Sequence, residues 1–237
     1  MDENIQIKND LITVFSHELL TPLVITKGYL AMVLDRKANQ IDNETKTFLE
    51  KAYYGNERLI TIVTTMIRTV DIDNNNLKYT IRPYSMEEIL SPLIKKYSQS
   101  CKQKNIILNI IKPTNNNLKV VVDIEKTREI IVYLIDNALK FTDKGEITIG
   151  YQSSDRDGKQ YVRVDIKDTG IGISQEKMPL LFEKLAYGVF DIKEHRIGVG
   201  LGLYIAKKLT ETQNGFITVE SQTNKGSTFS LFLPLAQ

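Results

Sequence analysis

Phe15-Ser16-His17-Glu18-Leu19-Leu20-Thr21-Pro22-Leu23 places one nucleophile beside one carboxylate on what reads as a long amphipathic helix. An exposed imidazole, with an ordinary pKa near ~6.5, is mostly neutral and nucleophilic at pH 7. With Ile12, Leu19, Thr26 and Val33 taken as one apolar row and Phe15 and Leu30 beside it, His17 is expected on the opposite, solvated face. Glu18 is placed to orient the imidazole or take its proton, and Thr21 lies four residues on along the same face. Pro22 leaves the carbonyl of Glu18 without its usual donor, which loosens the backbone beside the nucleophile. A lone histidine is more often an ordinary solvated side chain, so the remainder of the chain has to decide between the two readings.

Composition narrows the classes. The chain has 237 residues, is 25% charged and 42% hydrophobic, and suits one or two globular domains. A formal charge of +2, with Lys and Arg scattered, argues against a dedicated nucleic-acid binder. The single cysteine, Cys101, excludes an internal disulfide and is expected in a reducing compartment. Apolar runs such as 130–135 fall far short of the ~18 residues that span a bilayer, and the polar, acidic start is unlike a signal sequence. A cytoplasmic location follows as the expectation, including the cytoplasmic portion of a longer, membrane-anchored sensor.

Two helices open the chain, at residues 5–35 and from Asp42 or Asn43 onward, with residues 36–43 breaking the pattern. In the second, Leu49, Ala52, Asn56, Leu59, Val63, Met66 and Val70 alternate three and four apart, a coiled-coil seam with one polar member. Two helices alone cannot bury such stripes, so two copies are expected to make a four-helix bundle. Asn56 either fixes the register of that seam or is a partly exposed residue of no consequence. Asp73-Asn74-Asn75-Asn76 marks a hinge between residues 1–73 and 77–237.

Beyond the hinge the pattern is α+β. Strands are predicted at 77–82, 106–111, 120–122, 147–151, 161–167, 216–221 and 227–233. Helices are predicted from the capping-box sequence Ser85-Met86-Glu87-Glu88 to 102, at 125–140, at 175–182 and at 202–213. The helices are expected to cover one face of the sheet.

Four stretches of this second part bear on chemistry. Asp136-Asn137-Ala138-Leu139-Lys140-Phe141-Thr142 ends a helix with a neutral oxygen ligand and a cation one turn apart, suited to Mg²⁺ and phosphate. Asp168-Thr169-Gly170-Ile171-Gly172-Ile173 follows a strand, and its glycines allow close backbone approach to a ligand, with Asp168 able to accept from an exocyclic amine. Gly198-Val199-Gly200-Leu201-Gly202-Leu203 opens a helix whose free N–H groups suit an anion. Gly226-Ser227-Thr228-Phe229 enters the last strand, where a plain hairpin turn is the alternative. Singly, each has many false positives.

Their order and spacing closely resemble the sensor histidine kinases of two-component signalling, over nearly the whole chain. Residues 17–23 look like the phosphoacceptor box, 136–142 the asparagine box, 168–173 the first glycine box, Phe182-Glu183 the phenylalanine box and 198–202 the second glycine box. The resemblance implies a dimeric helical hairpin bearing the phosphoacceptor, followed by an α/β sandwich ATP-binding domain of the gyrase, heat-shock chaperone and histidine kinase type. It implies that His17 is phosphorylated by ATP with Glu18 as base, and that Thr21 orients water when the protein dephosphorylates its regulator. It further implies that Asp168 reads adenine, that Asn137 holds Mg²⁺, and that Lys140 and the second glycine box (Gly198, Gly200, Leu201, Gly202) hold phosphates. Phe141, Gly170, Gly172, Ile173, Phe182, Arg196 and Thr228 complete the implied nucleotide site, and residues 185–197 form a lid. The implied partners are a second copy of the chain and the receiver domain of a response regulator, whose aspartate takes the phosphoryl group.

Two positions depart from the pattern. Leu20 stands where the family usually has Arg, and Tyr133 where it usually has Asn, one helical turn before Asn137. His195, with Lys193 and Arg196, reads as a solvated basic cluster near phosphate. A degenerate ATP-binding scaffold without kinase activity is the alternative, and a conformational-clamp ATPase is disfavoured by the phosphoacceptor box. No sensor segment is evident, so a longer parent protein is expected.

Overall fold

The computed structural model of the chain describes residues 3–36, 41–113, 118–185 and 200–236, and in its first helix the side chains of Ser16 and of residues 18–35. Two compact units result, Met1–Leu77 and Lys78–Gln237. No described helix is long and apolar enough to cross a membrane.

The first unit is a hairpin of α1 (Glu3–Arg36) and α2 (Asn43–Asp73). Asp42 caps α2 by accepting from the Thr45 backbone N–H at 2.9 Å, which satisfies one of the orphan donors of the first turn. Lys27 and Glu57 pair across the hairpin and fix the level at which the helices meet. The inward row of α1 differs from the expected one. Leu19 is 54% exposed and Thr26 is exposed, whereas Leu20, Leu23, Lys27, Leu30 and Leu34 are half-buried. That row also steps by three and four, so periodicity alone had two adjacent stripes to choose from, and packing against α2 selected the second. In α2 the predicted seam splits. Asn56, Val63 and Val70 are buried within the hairpin, while Ala52, Leu59 and Met66 remain exposed.

In the second unit β1 (Arg82–Ser85) pairs antiparallel with β3 (Lys119–Val122). The main sheet has the order β2-β4-β5-β7-β6, from β2 (Ile106–Ile111), β4 (Gly145–Arg156), β5 (Lys159–Asp168), β6 (Phe216–Gln222) and β7 (Gly226–Pro234). Only the β2–β4 pairing is parallel. Helices α3 (Met86–Gln103), α4 (Ile124–Phe141) and α5 (Gly202–Glu211) cover one face. The core lies between them, where Ile130, Ile131, Leu134 and Ile135 of α4 and Ile205 and Leu209 of α5 are buried together with Ile147, Ile149, Val164, Ile166 and Leu231. Along β5, Val162, Val164, Ile166 and Asp168 alternate into this layer, as a half-covered sheet requires.

The Ser85 capping box forms in full, with the Glu88 N–H donating to Ser85 Oγ and the Ser85 N–H to Glu88 Oε2. A buried polar knot ties the far ends of α4 and α5. Gln213 Oε1 accepts from the Asp123 N–H at 2.7 Å, while the Asp123 carboxylate caps α4 and accepts from the Thr80 N–H at 2.7 Å.

Two predicted elements differ. Residues 77–81 are not a strand, because the Thr80 N–H is taken by Asp123 and ladder pairing begins only at Arg82. Residues 175–182 contain only one 3₁₀ turn, Met178–Leu180, in which Pro179 has no N–H to continue a helix.

Candidate nucleotide site and phosphoacceptor

Helix α4 is the axis of the site. Its buried residues face the sheet, and the half-buried stripe Tyr133, Asn137, Lys140 and Phe141 follows at helical spacing on another face. Two glycine-bearing segments abut this stripe. At the C-terminal end the Phe141 carbonyl accepts from the Ile171 N–H at 3.2 Å, and a methyl group on Gly170 would lie 2.2 Å from that same oxygen. One turn before Asn137, a methyl group on Gly202 would lie 2.9 Å from Cδ1 of Tyr133. Tyr133 and Phe141 are eight residues apart, about 12 Å of helix at 1.5 Å per residue. The two loops therefore meet α4 at points separated by about the length of a nucleotide, with Asn137 midway and Lys140 Nζ 4.8 Å from the centre of the Phe141 ring.

Asp168 ends β5 and is 4% exposed. Its Oδ1 accepts from the Gly170 N–H at 2.9 Å. Burial pushes its carboxyl pKa up, against the smaller opposing pull of the Gly170 and Ser227 backbone N–H groups. Such a carboxyl, in a protein-lined position, suits one directional contact better than bulk charge. Register decides which hydroxyl accompanies it. Asp168 stands opposite Ser227, so these two share a face, whereas Thr228 stands opposite Lys167 on the other. The structure thus does not bring Thr228 to the side of Asp168. Ser227, which sequence reasoning passed over, lies there, and its placement follows from the β5–β7 register, which no local sequence signal reveals.

The first glycine segment is clamped to the β6–β7 turn. The Ile173 N–H donates to Ser221 Oγ at 2.8 Å, the Asn224 N–H to the Ile171 carbonyl at 2.7 Å, and Ser221 Oγ to the Gly226 carbonyl at 2.9 Å. Gly172, at φ +65°, would as alanine place its methyl 2.0 Å from the Gln222 carbonyl oxygen, so this turn requires glycine.

At the other bracket Gly200 (φ +69°) turns the chain into α5, whose N-cap Leu201 is buried and whose first turn has no side-chain cap. Uncapped first-turn N–H groups and the helix dipole are what a phosphate oxygen requires. The segment leading into the expected lid, with its first residue Leu185, meets this helix: the Leu185 N–H donates to the Gly200 carbonyl at 3.1 Å, Lys184 Nζ lies 4.9 Å from the Tyr204 ring centre, and Lys207 Nζ lies 6.0 Å from that of Phe182. Arg196, Gly198, His195 and residues 186–197 of the lid lie outside the described residues.

In the hairpin, His17 is part of α1, and its imidazole is outside the described side chains. Glu18 and Thr21 are exposed, and Ser16 is buried. Pro22 stays within the helix, and its carbonyl accepts from Thr26 Oγ1 at 2.8 Å.

For Mg²⁺ the donor set is spare. The described residues hold no group of three or more His, Cys, Asp or Glu able to bind a metal ion. The half-buried amide of Asn137 fits an ion that draws most of its octahedral shell from phosphate and water.

Residues 122–237 match the family described as histidine kinase-, DNA gyrase B-, and HSP90-like ATPase. The chain is 31% identical over 225 residues to the hybrid signal transduction histidine kinase L of Dictyostelium discoideum, covering 94% of this chain and 13% of that protein. It is 26% identical to the circadian input-output histidine kinase CikA of Synechococcus elongatus (96% of this chain, 30% of the relative), and 28% identical to the signal transduction histidine-protein kinase BarA of Escherichia coli (96% and 24%). The chain therefore spans less than a third of the length of these curated relatives. Among solved structures it resembles full-length ShkA in complex with AMPPNP, with a TM-score of 0.75 at 23% identity over 96% of this chain and 46% of that one. It also resembles the Acinetobacter baumannii histidine kinase AdeS, with a TM-score of 0.64 at 20% identity over 93% and 98%. Residues 122–237 thus belong to the histidine kinase-, DNA gyrase B-, and HSP90-like ATPase family, and the chain as a whole is a relative of the sensor histidine kinases.

Proposed function

We propose that the chain is an ATP-dependent protein histidine kinase that phosphorylates its own His17 and passes the group to an aspartate of a response regulator receiver domain. The observation that carries this reading is the bracketing of the α4 stripe by Gly170 at Phe141 and Gly202 at Tyr133, with an amide, Asn137, and a cation, Lys140, between the two brackets. In this reading adenine lies at the Gly170 end, where Asp168 accepts from its amine beside Ser227. The triphosphate runs past Asn137 and Lys140 to the first turn of α5. When bound, Mg²⁺ supplies charge neutralisation at the phosphates, and Asn137 is the residue that holds it. A ring nitrogen of His17 attacks the γ-phosphorus as the bond to the bridging oxygen breaks, ADP leaves, and Glu18 takes the ring proton. Most of the rate then comes from positioning and charge. Thr21 orients water for the reverse duty, dephosphorylation of the regulator.

Exposed Leu59 and Met66 of α2, with Leu19, Ile25 and Met32 of α1, support assembly through the hairpin, since these apolar side chains have no cover within one protomer.

Incubation with γ-labelled ATP tests the reading. Wild type should acquire acid-labile label, and His17→Gln should acquire none while keeping nucleotide affinity. Label on the His17→Gln protein would assign the acceptor elsewhere. An unlabelled wild type that still binds ATP would favour the scaffold alternative.

A further inference from the structure

The geometry points to Tyr133 as a positioning residue: its ring is the seat on which the first turn of α5 rests, and Tyr133 and Gly202 form a matched pair that sets where the phosphate-binding helix end lies. This rests on the nucleotide-site reading above and concerns the triphosphate end of that site alone.

A methyl group on Gly202 would lie 2.9 Å from Cδ1, 3.5 Å from Cε1 and 3.7 Å from Cγ of Tyr133, so one edge of the aromatic ring lies directly against the glycine. Tyr133 is half-buried and sits on α4, whose neighbours Ile131, Leu134 and Ile135 are buried, so the ring cannot withdraw as a lysine tip would. Gly202 is the first residue of α5. At the opposite end of the helix, Gln213 is 2% exposed and hydrogen-bonded to the Asp123 N–H, Thr127 Oγ1 and the Leu209 carbonyl, which pins that end to the start of α4. With one end of α5 fixed by this knot, the ring thickness at Tyr133 sets the height and tilt of the uncapped end over the α4 stripe. An alanine at 202 pushes that end away from Asn137, and a thinner residue at 133 lets it sink. Either change moves the phosphate donors and leaves the Gly170 bracket, on Phe141, where it was.

The test is a double-mutant cycle in the full chain with Tyr133→Leu, Gly202→Ala and the pair together, plus Tyr133→Phe, read by calorimetry with AMPPNP and with adenosine and by thermal melting. Each single change should weaken AMPPNP binding by roughly tenfold, in the range of coupled neighbours, while adenosine affinity shifts by less than about twofold. The double variant should recover most of the lost affinity, because the alanine methyl occupies the space the ring vacated. Tyr133→Phe, which keeps the ring, is the exception among the single changes and should bind AMPPNP like wild type. Additive losses in the cycle overturn the pairing, as does Tyr133→Phe behaving like Tyr133→Leu, which would assign the role to the hydroxyl. Equal losses for adenosine and AMPPNP overturn the restriction to the phosphate end. A wild-type chain that binds neither ligand overturns the nucleotide reading itself, and the melting cycle then decides the pair: non-additive shifts uphold the seat, additive ones remove it.

Discussion

Gly226 stands against the backbone of Asp168 so closely that a methyl group there would lie 1.9 Å from the Asp168 carbonyl oxygen. The glycine has φ +94° and opens β7 at the point where β5 ends in the carboxyl group that faces the α4 side. Strand pairing and site geometry thus depend on the same absent Cβ.

Gly226→Ala combines an unfavourable backbone region with a clash against backbone that has no rotamer to yield. The expected cost is about 3 kcal/mol or more, read as a large fall in urea midpoint. Because the displaced atom belongs to Asp168, nucleotide affinity measured well below the midpoint should fall as well. A variant that melts and binds like wild type would show that the loop at residues 223–226 shifts freely.

Asp168 offers a test in pH. Its folded pKa is raised above the unfolded value of about 3.8 by burial. The folded state therefore holds the extra proton, and stability is lost as pH rises from the ordinary carboxylate range through the raised folded pKa. Asp168→Asn removes this penalty, so the variant should gain stability relative to wild type as pH is raised from 4 to 7. The same substitution should weaken ATP binding, because an amide facing the adenine amine offers a donor where an acceptor is needed. Parallel stability curves for the two proteins would contradict a shifted Asp168, and unchanged affinity would place adenine elsewhere.

What the sequence discloses follows from how local each determinant is. The capping box at Ser85 and Glu88 is complete within four residues, and it formed as read. The strand at Ile106–Ile111 matched its predicted bounds because its hydrophobicity and its Asn105 boundary, at φ 55°, are contiguous. Residues 77–81 failed because their fate is set by Asp123, far along the chain, which takes the Thr80 N–H. Which hydroxyl stands opposite Asp168 was hidden for a similar reason: pairing register, not composition, puts Ser227 there and Thr228 opposite Lys167. The first glycine box was legible as a turn and the second as the opening of a helix at Gly202, but that Gly202 faces an aromatic ring on α4 is a tertiary fact with no local signature.

The hairpin makes a prediction about assembly. Leu59 is 50% exposed and Met66 42%, one helical heptad apart on the face of α2 that α1 leaves uncovered. Replacing both by Glu should leave the helicity of the chain intact, since neither side chain is buried within the protomer. It should convert a dimer to a monomer in sedimentation, because four charges cannot be desolvated in a bundle core. A dimer that persists would move the interface to the row of Ile25 and Met32.

Asn56 sharpens the role of the seam. It is 7% exposed, lies in the same buried row as Val63 and Val70, and its Oδ1 has no hydrogen-bond partner among the described residues. An unsatisfied buried carbonyl costs about 1–3 kcal/mol, and a leucine of similar size would add roughly 1.5–3 kcal/mol of apolar burial. Asn56→Leu is therefore expected to raise the melting temperature of the hairpin. The gain should carry a loss of specificity, since a lone polar residue in an apolar seam excludes registers and oligomers that would bury it unpaired. Sedimentation of the variant should show species beyond the wild-type one, and a variant both more stable and uniform would make Asn56 a plain defect of the core. A variant less stable than wild type would mean that Oδ1 finds a donor on assembly, which places this amide at the interface between two copies.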